Sequence, residues 1–257
     1  MFLFLTTMIR IGILGTGKVA THLIKGCAAH PSLDLIEIYN RSENGLMPFK
    51  DIAPTTTDLN SLKKADLYIV ALPDEGIKNI NLLHTKGLVV HTSGTNSFRL
   101  LQANRRGILY PAQSFSKEKK IDLTKTPLCI ETEKEEDFEI LKSFAQLISK
   151  QVHPVAEDKR QKLHLAAVFA NNFSNSVIGM AYDICKDNDL DFKILQPLLQ
   201  ETFLKTQILS PKSAQTGPAV RNDVATLKQQ LNQLSGTQKE VYQILTKSIQ
   251  ENHGSEL

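Results

Sequence analysis

Gly15, Gly17 and Ala20 stand as G-x-G-x-x-A between an apolar run at 9–14 and an amphipathic stretch that begins at Lys18. Strand, glycine loop and helix in that order wrap main chain around a dinucleotide pyrophosphate. The first glycine makes the tight turn, the second admits the phosphates, and a small third residue lets helix and strand pack closely. The helix start adds free N–H groups and the positive end of its dipole. Gly15, Thr16, Gly17, Lys18 and Val19 are therefore the expected cofactor contacts. A glycine turn without a ligand is the alternative, and the motif's place in the first strand–helix unit argues against it.

The tip of the next apolar run reads Asn40, Arg41, Ser42. NAD-binding loops place a carboxylate there for the ribose hydroxyls. Here a guanidinium and a hydroxyl are available to a 2′-phosphate instead, which favours NADP and leaves NAD possible. Glu37 is the rival acid, but it lies within the strand; the other use for Arg41 is as an exposed loop cation.

A second group of polar residues lies further along. Ser93 and Gly94 follow an apolar run, at the carboxyl end of a strand, where open α/β sheets bind ligands. Ser93 suits a hydrogen bond to substrate or cofactor, or a turn. At 100° per residue, His164, Val168, Asn171 and Asn175 form one helical stripe. His164 on that stripe is a candidate general acid near neutral pH, or else a core histidine. Asn171, Asn172, Ser174 and Asn175 are amides and a hydroxyl that need partners if buried; a helical dimer interface supplies these as well as a substrate does. In "TGPAVRND", Gly217 and Pro218 break the chain and restart a helix, which places Arg221 in a first turn where the dipole is already positive. A cation there calls for an anion from elsewhere, such as a substrate carboxylate or phosphate, unless Arg221 and Asp223 merely decorate a capped surface helix. His164, Asn171, Asn172, Ser93 and Arg221 are the candidate catalytic residues. No Ser–His–acid spacing supports a serine hydrolase.

The elements that must position these residues alternate from 9 to 155. Strands at 9–14, 34–40, 54–57, 66–72, 87–92, 107–110, 127–131 and 152–155 are separated by helices at 18–30, after Asp58, at 75–84, 97–105 and 134–149. That alternation predicts a parallel, doubly wound sheet. Beyond Glu157 the pattern is helical throughout, at 158–187, 192–207, 218–234 and 237–251, the last opened by a Thr237–Glu240 capping box. The expected architecture is an α/β Rossmann NADP-binding domain at 8–156 followed by an all-helical domain at 157–257.

With 257 residues, 41% of them hydrophobic and 22% charged, the chain is globular and has no repeats. A net charge of +3 is too mild for nucleic acid, and the one Lys cluster, 117–120, includes Glu118. Cys27, Cys129 and Cys185 lack metal-site spacing and read as reduced, buried thiols. No metal is expected. The opening "MFLFLTTM" is too short for a signal peptide and reads as a leader before Met8, which leaves Met1 and Met8 as rival starts. The longest apolar stretch, 163–184, is broken by Asn and Ser, so no membrane span is expected and the cytoplasm is the expected compartment.

"IGILGTGKVA", "NRS", "ADLYIVALPDEGI" and "HTSGT" resemble the NADP-binding half of the group that contains pyrroline-5-carboxylate reductase, 3-hydroxyisobutyrate dehydrogenase and 6-phosphogluconate dehydrogenase. "HTSG", "YPAQSF", "KLHLAAVFANN" and "TGPAVRND" resemble, over almost the whole chain, Rossmann-like proteins with a helical C-terminal domain of unknown function. The resemblance implies that Leu72, Pro73 and Asp74 line the nicotinamide side, and that hydride passes to or from a small carbonyl, imine or hydroxy compound. It also implies a homodimer formed through the helical domain. Two residues depart from the pattern: Val168 stands where a lysine is expected four residues before Asn172, and Tyr110 stands where a histidine is usual before the proline. The missing lysine keeps open a catalytically silent NADP-binding sensor.

Overall fold

The computed structural model describes residues 8–116 and 118–253, so the expected leader and Lys117 of the charged run lie outside the described residues. In chain order the first elements are β1 (Ile9–Leu14), α1 (Lys18–Ala28), β2 (Leu33–Tyr39), α2 (Glu43–Leu46), β3 (Thr55–Thr56), β4 (Leu67–Val70), α3 (Asp74–Lys78), β5 (Leu88–His91), β6 (Arg106–Pro111), β7 (Leu128–Thr132), α4 (Glu135–Ile148) and β8 (Val152–Pro154). They build one 8-stranded sheet in the order β3-β2-β1-β4-β5-β6-β7-β8. The strand order reverses between β1 and β4, which opens a crevice beyond their carboxyl ends.

Continuous apolar runs become central strands because both faces are covered. Leu67, Ile69 and Val70 of β4 and Leu88, Val89 and Val90 of β5 are fully buried, as are Ala20, Leu23 and Ile24 on the inner stripe of α1. The sheet is parallel through β6, but β6 and β7 pair antiparallel. Among its described residues, the link between them contains no long helix to carry the chain back across the sheet, so β7 returns in the opposite direction. Two expected helices contract to single 3-10 turns, Leu59–Ser61 and Phe98–Leu100. In each, the N-cap side chain, Asp58 or Ser97, takes the N–H two residues on. The helix expected at 75–84 stops at Lys78.

The remainder is helical: α5 (Glu157–Ala167), a π-helix (Val168–Phe173), α6 (Ser174–Asp187), α7 (Gln196–Lys205), α8 (Pro211–Ala214), α9 (Val224–Leu231) and α10 (Gly236–His253). The chain divides into two compact units, Met1–Asn172 and Phe173–Leu257. The helical pattern starts near 157, but α5 belongs with the sheet, because the buried Arg160 and the carboxylate of Glu131 tie it there. Residues 218–222 form turns rather than a helix start. Gly217 and Asn222 adopt positive φ, and Asp223 caps α9 by accepting from the N–H and hydroxyl of Thr226. Arg221 therefore precedes α9, and the supposed conflict with that helix's dipole does not exist.

Cys27, Cys129 and Cys185 are free and buried. No helix among the described residues is long and apolar enough to cross a membrane.

Candidate active site

Gly15 follows β1 with φ +113°, and a β-carbon there would lie 2.4 Å from the carbonyl oxygen of Ala71 and 3.0 Å from Leu72 Cδ2. Only glycine fits this close approach to the residues after β4. Gly17 is the N-cap of α1 and makes no side-chain cap, while the first N–H groups of a helix have no intrahelical acceptor. A β-carbon on Gly17 would meet nothing within 4 Å. Uncapped donors beside open space fit a dinucleotide pyrophosphate, with Thr16, Lys18 and Val19 flanking it. Ala20 is fully buried, as close helix packing requires.

The loop after β2 is also closely packed. A β-carbon on Gly45 would lie 2.2 Å from Asn40 Nδ2 and 2.9 Å from Thr16 Oγ1, so the loops after β1 and β2 meet at this glycine. Asn40 donates to the Ser42 carbonyl at 2.9 Å. Arg41 is exposed, and Ser42 is the N-cap of α2 with its hydroxyl uncommitted to the cap. Glu37 is buried within β2 and accepts the Lys63 N–H at 2.9 Å, which occupies the rival acid inside the fold. Glu43, the next residue, pairs on the surface with Lys50 at 3.6 Å, so a cation and a hydroxyl, with no carboxylate among residues 40–42, fit a 2′-phosphate. Leu72 is half-buried against Gly15, and exposed Pro73 is the N-cap of α3, which begins with Asp74.

At the same end of the sheet, the loop after β5 is built from within. His91, fully buried, accepts the Ser93 N–H at Nδ1 and donates from Nε2 to the Ser97 carbonyl. Burial pushes its pKa down to about 4, so the imidazole is neutral. Ser93 Oγ accepts the N–H groups of Thr95 and Asn96, which makes its hydroxyl a turn-former.

α5 lays two residues one turn apart along this loop. Arg160 is fully buried and donates to the carbonyls of Ser93, Gly94 and Asn96 at 3.0, 2.9 and 2.8 Å, with Glu131 at 3.9 Å. Burial lowers its pKa, while Glu131 and Glu157 oppose the shift; burial also raises that of Glu131. Glu131 accepts the Glu157 N–H at 3.1 Å and so caps the start of α5. His164, half-buried, lies against Gly94, and its Nδ1 is 3.0 Å from the Tyr110 hydroxyl. Burial raises the Tyr110 pKa and keeps the phenol protonated.

Sequence reasoning singles out His164 but misses Arg160 and the Tyr110 partner. The spacing of four between Arg160 and His164 on one helix was the available signal. Asn171 and Asn172 fall in the π-helix and are exposed, as is Asn175, so these amides are not buried groups in need of partners. The wider π turn also breaks the 100° stripe that connects Asn171 and Asn175 to His164. Arg221 is exposed in the second unit, ahead of α9.

Residues 126–249 match the model of a domain of unknown function, DUF2520. The chain is 32% identical to a candidate NADP oxidoreductase from Bacteroides fragilis, over 96% of this chain and 99% of that one, with a TM-score of 0.87. An imine reductase from Myxococcus stipitatus in complex with NADP+ shares the fold at 15% identity, covering 95% and 96% of the two chains with a TM-score of 0.64. A pyrroline-5-carboxylate reductase from Coxiella burnetii does so at 17% identity, covering 94% and 91% with a TM-score of 0.58. No curated protein matches the chain.

Proposed function

The chain belongs to the Rossmann-like oxidoreductases that carry a DUF2520 domain, and from that membership we propose an NADP-dependent enzyme acting on a small carbonyl, imine or hydroxy compound. One observation carries this reading. A glycine loop open to phosphates and a hydrogen-bonded histidine, His164, stand at the same end of one sheet. A bound nicotinamide supplies or accepts the hydride.

The protein's own residues bind, orient and protonate. Gly15, Thr16, Gly17, Lys18 and Val19 hold the pyrophosphate through main-chain N–H groups. Asn40, Arg41 and Ser42 take the 2′-phosphate, and Leu72 and Pro73 border the nicotinamide. His164 donates to the substrate oxygen or nitrogen as its carbon is reduced. Asn171 and Asn172, both exposed, are assigned to polar groups of the substrate. The Tyr110–His164 bond supports the enzyme reading by holding an imidazole beside the loop after β5.

The second unit favours a homodimer. Its only buried apolar residues among those described are Cys185 and Ala219, while Ile208, Ile194 and Ile244 are 86%, 72% and 68% exposed. Helices this bare need a second apolar surface, and a second copy of the chain provides one. The free, buried thiols suit a reducing compartment, the cytoplasm.

The test is turnover of NADPH against a panel of small ketones, cyclic imines and hydroxy acids, each with and without a carboxylate, using wild type and His164→Ala. Turnover that His164→Ala abolishes while cofactor affinity persists supports the reading. NADPH binding with no turnover across the panel supports the sensor.

A further inference from the structure

Tyr110 occupies the fourth paired position of β6, opposite Cys129 of β7, and is 7% exposed. Its ring meets that of His164 edge to face, with centroids 5.6 Å apart and planes at 82°. The hydroxyl, 3.0 Å from His164 Nδ1, has no other hydrogen-bond partner among the described residues.

Counting protons decides the direction of that bond for a neutral ring. A phenol carries one hydrogen, and a neutral imidazole carries one hydrogen on one of two nitrogens. If Nδ1 held it, Nδ1–H would donate to the phenol oxygen, and the phenol hydrogen, in this part-buried place, would have no acceptor among the described residues. If the phenol donates to Nδ1, the phenol hydrogen has its acceptor and the imidazole hydrogen resides on Nε2, free for a substrate. Once the ring is protonated, Nδ1–H donates to the same phenol oxygen. In both states Nε2–H faces away from Tyr110.

The ring has little freedom to escape this arrangement. A β-carbon on Gly94 would lie 2.5 Å from His164 Nδ1, 2.6 Å from its Cγ and 2.9 Å from Tyr110 Cε2, so the Gly94 main chain is wedged against both rings. One turn earlier on α5, the three carbonyl bonds of Arg160 fix the helix to the same loop.

We propose that Tyr110 is a positioning residue that holds His164 as the Nε2–H tautomer, so that Nε2 is the nitrogen presented to substrate. This rests on the reading of His164 as the donor to substrate. Tyr110 acts through His164 and touches no reacting atom itself.

The experiment uses the full-length protein with 15N-labelled histidine, in wild type and in Tyr110→Phe, which keeps the ring and removes the hydroxyl. At about pH 8.5, where imidazoles are neutral, two-bond 1H–15N spectra report which nitrogen of His164 carries hydrogen. Wild type is expected to show Nε2–H with an unprotonated Nδ1. Tyr110→Phe is expected to show substantial Nδ1–H, with unchanged NADPH affinity and, on any substrate found, a kcat lower by about tenfold. An Nδ1–H signal in wild type, or an identical spectrum in a folded Tyr110→Phe, overturns the proposal. The wild-type spectrum alone keeps it refutable if the variant does not fold. Because the spectra need no substrate, an empty substrate screen counts against the oxidoreductase reading and leaves the tautomer assignment to stand or fall by itself.

Discussion

Gly94 and His164 pack so closely that a β-carbon on the glycine would sit 2.5 Å from the imidazole Nδ1. The loop after β5 thus has no side chain at the one point where α5 delivers its histidine. Gly94→Ala is expected to displace the ring and break its bond to Tyr110. Overpacking of this kind costs about 1–3 kcal/mol, read as a lower thermal midpoint, with turnover reduced by at least roughly tenfold. A variant of unchanged stability and full activity would show that the contact constrains nothing.

Arg160 fastens α5 to this loop by three bonds, beside a single one from Gln161 to the Thr95 carbonyl. Arg160→Met leaves three carbonyls without donors and Glu131 without its cation, and removing one side of a buried pair costs about 3–5 kcal/mol. Arg160→Lys keeps the charge but loses the planar fork, so it should fall between wild type and Met. Urea unfolding measures both. A loss below about 1 kcal/mol for Met would mean that the buried guanidinium contributes little net stability.

His91 gives the fold an acid dependence. Its folded pKa is about 4, below the ordinary 6.5, because burial disfavours the imidazolium. The unfolded chain binds this proton more readily, so the contribution is fully present above about pH 6.5 and is lost as pH falls from there towards 4. The shift corresponds to about 3 kcal/mol. Unfolding free energy should therefore decline across that interval in wild type and decline less in a folded His91→Gln. Parallel profiles in the two proteins would assign the acid sensitivity to other groups.

The glycine loop is legible in the sequence because its chemistry is local: Gly15, Gly17 and Ala20 act through main-chain geometry a few residues apart. The apolar strands are legible for a similar reason, since burial on both faces leaves uninterrupted runs such as 67–70. The buried Arg160 is hidden because it sits among Glu157, Asp158, Lys159 and Lys162, where a charged residue looks solvated until the carbonyls of a loop distant in sequence close over it. Asn171 and Asn175 are misphased by assuming 100° per residue through what is a π-helix. Arg221 is misjudged because Asn222 adopts φ 52° and Asp223 takes the cap, which delays the helix to Val224. In each case the determining contact or backbone state is one that residue type alone does not encode.

Cofactor binding tests the central claim most directly. NADPH and NADH are titrated by nicotinamide fluorescence into wild type, Arg41→Ala and Gly17→Val. Wild type should bind NADPH more tightly than NADH. Arg41→Ala should lose about tenfold in NADPH affinity with little change for NADH, as expected for one charge-assisted contact to a 2′-phosphate. Gly17→Val, whose side chain fills the open space before α1, should bind neither while remaining folded. Absence of dinucleotide binding in wild type, or equal affinities in wild type and a folded Gly17→Val, would contradict an NADP site at this loop.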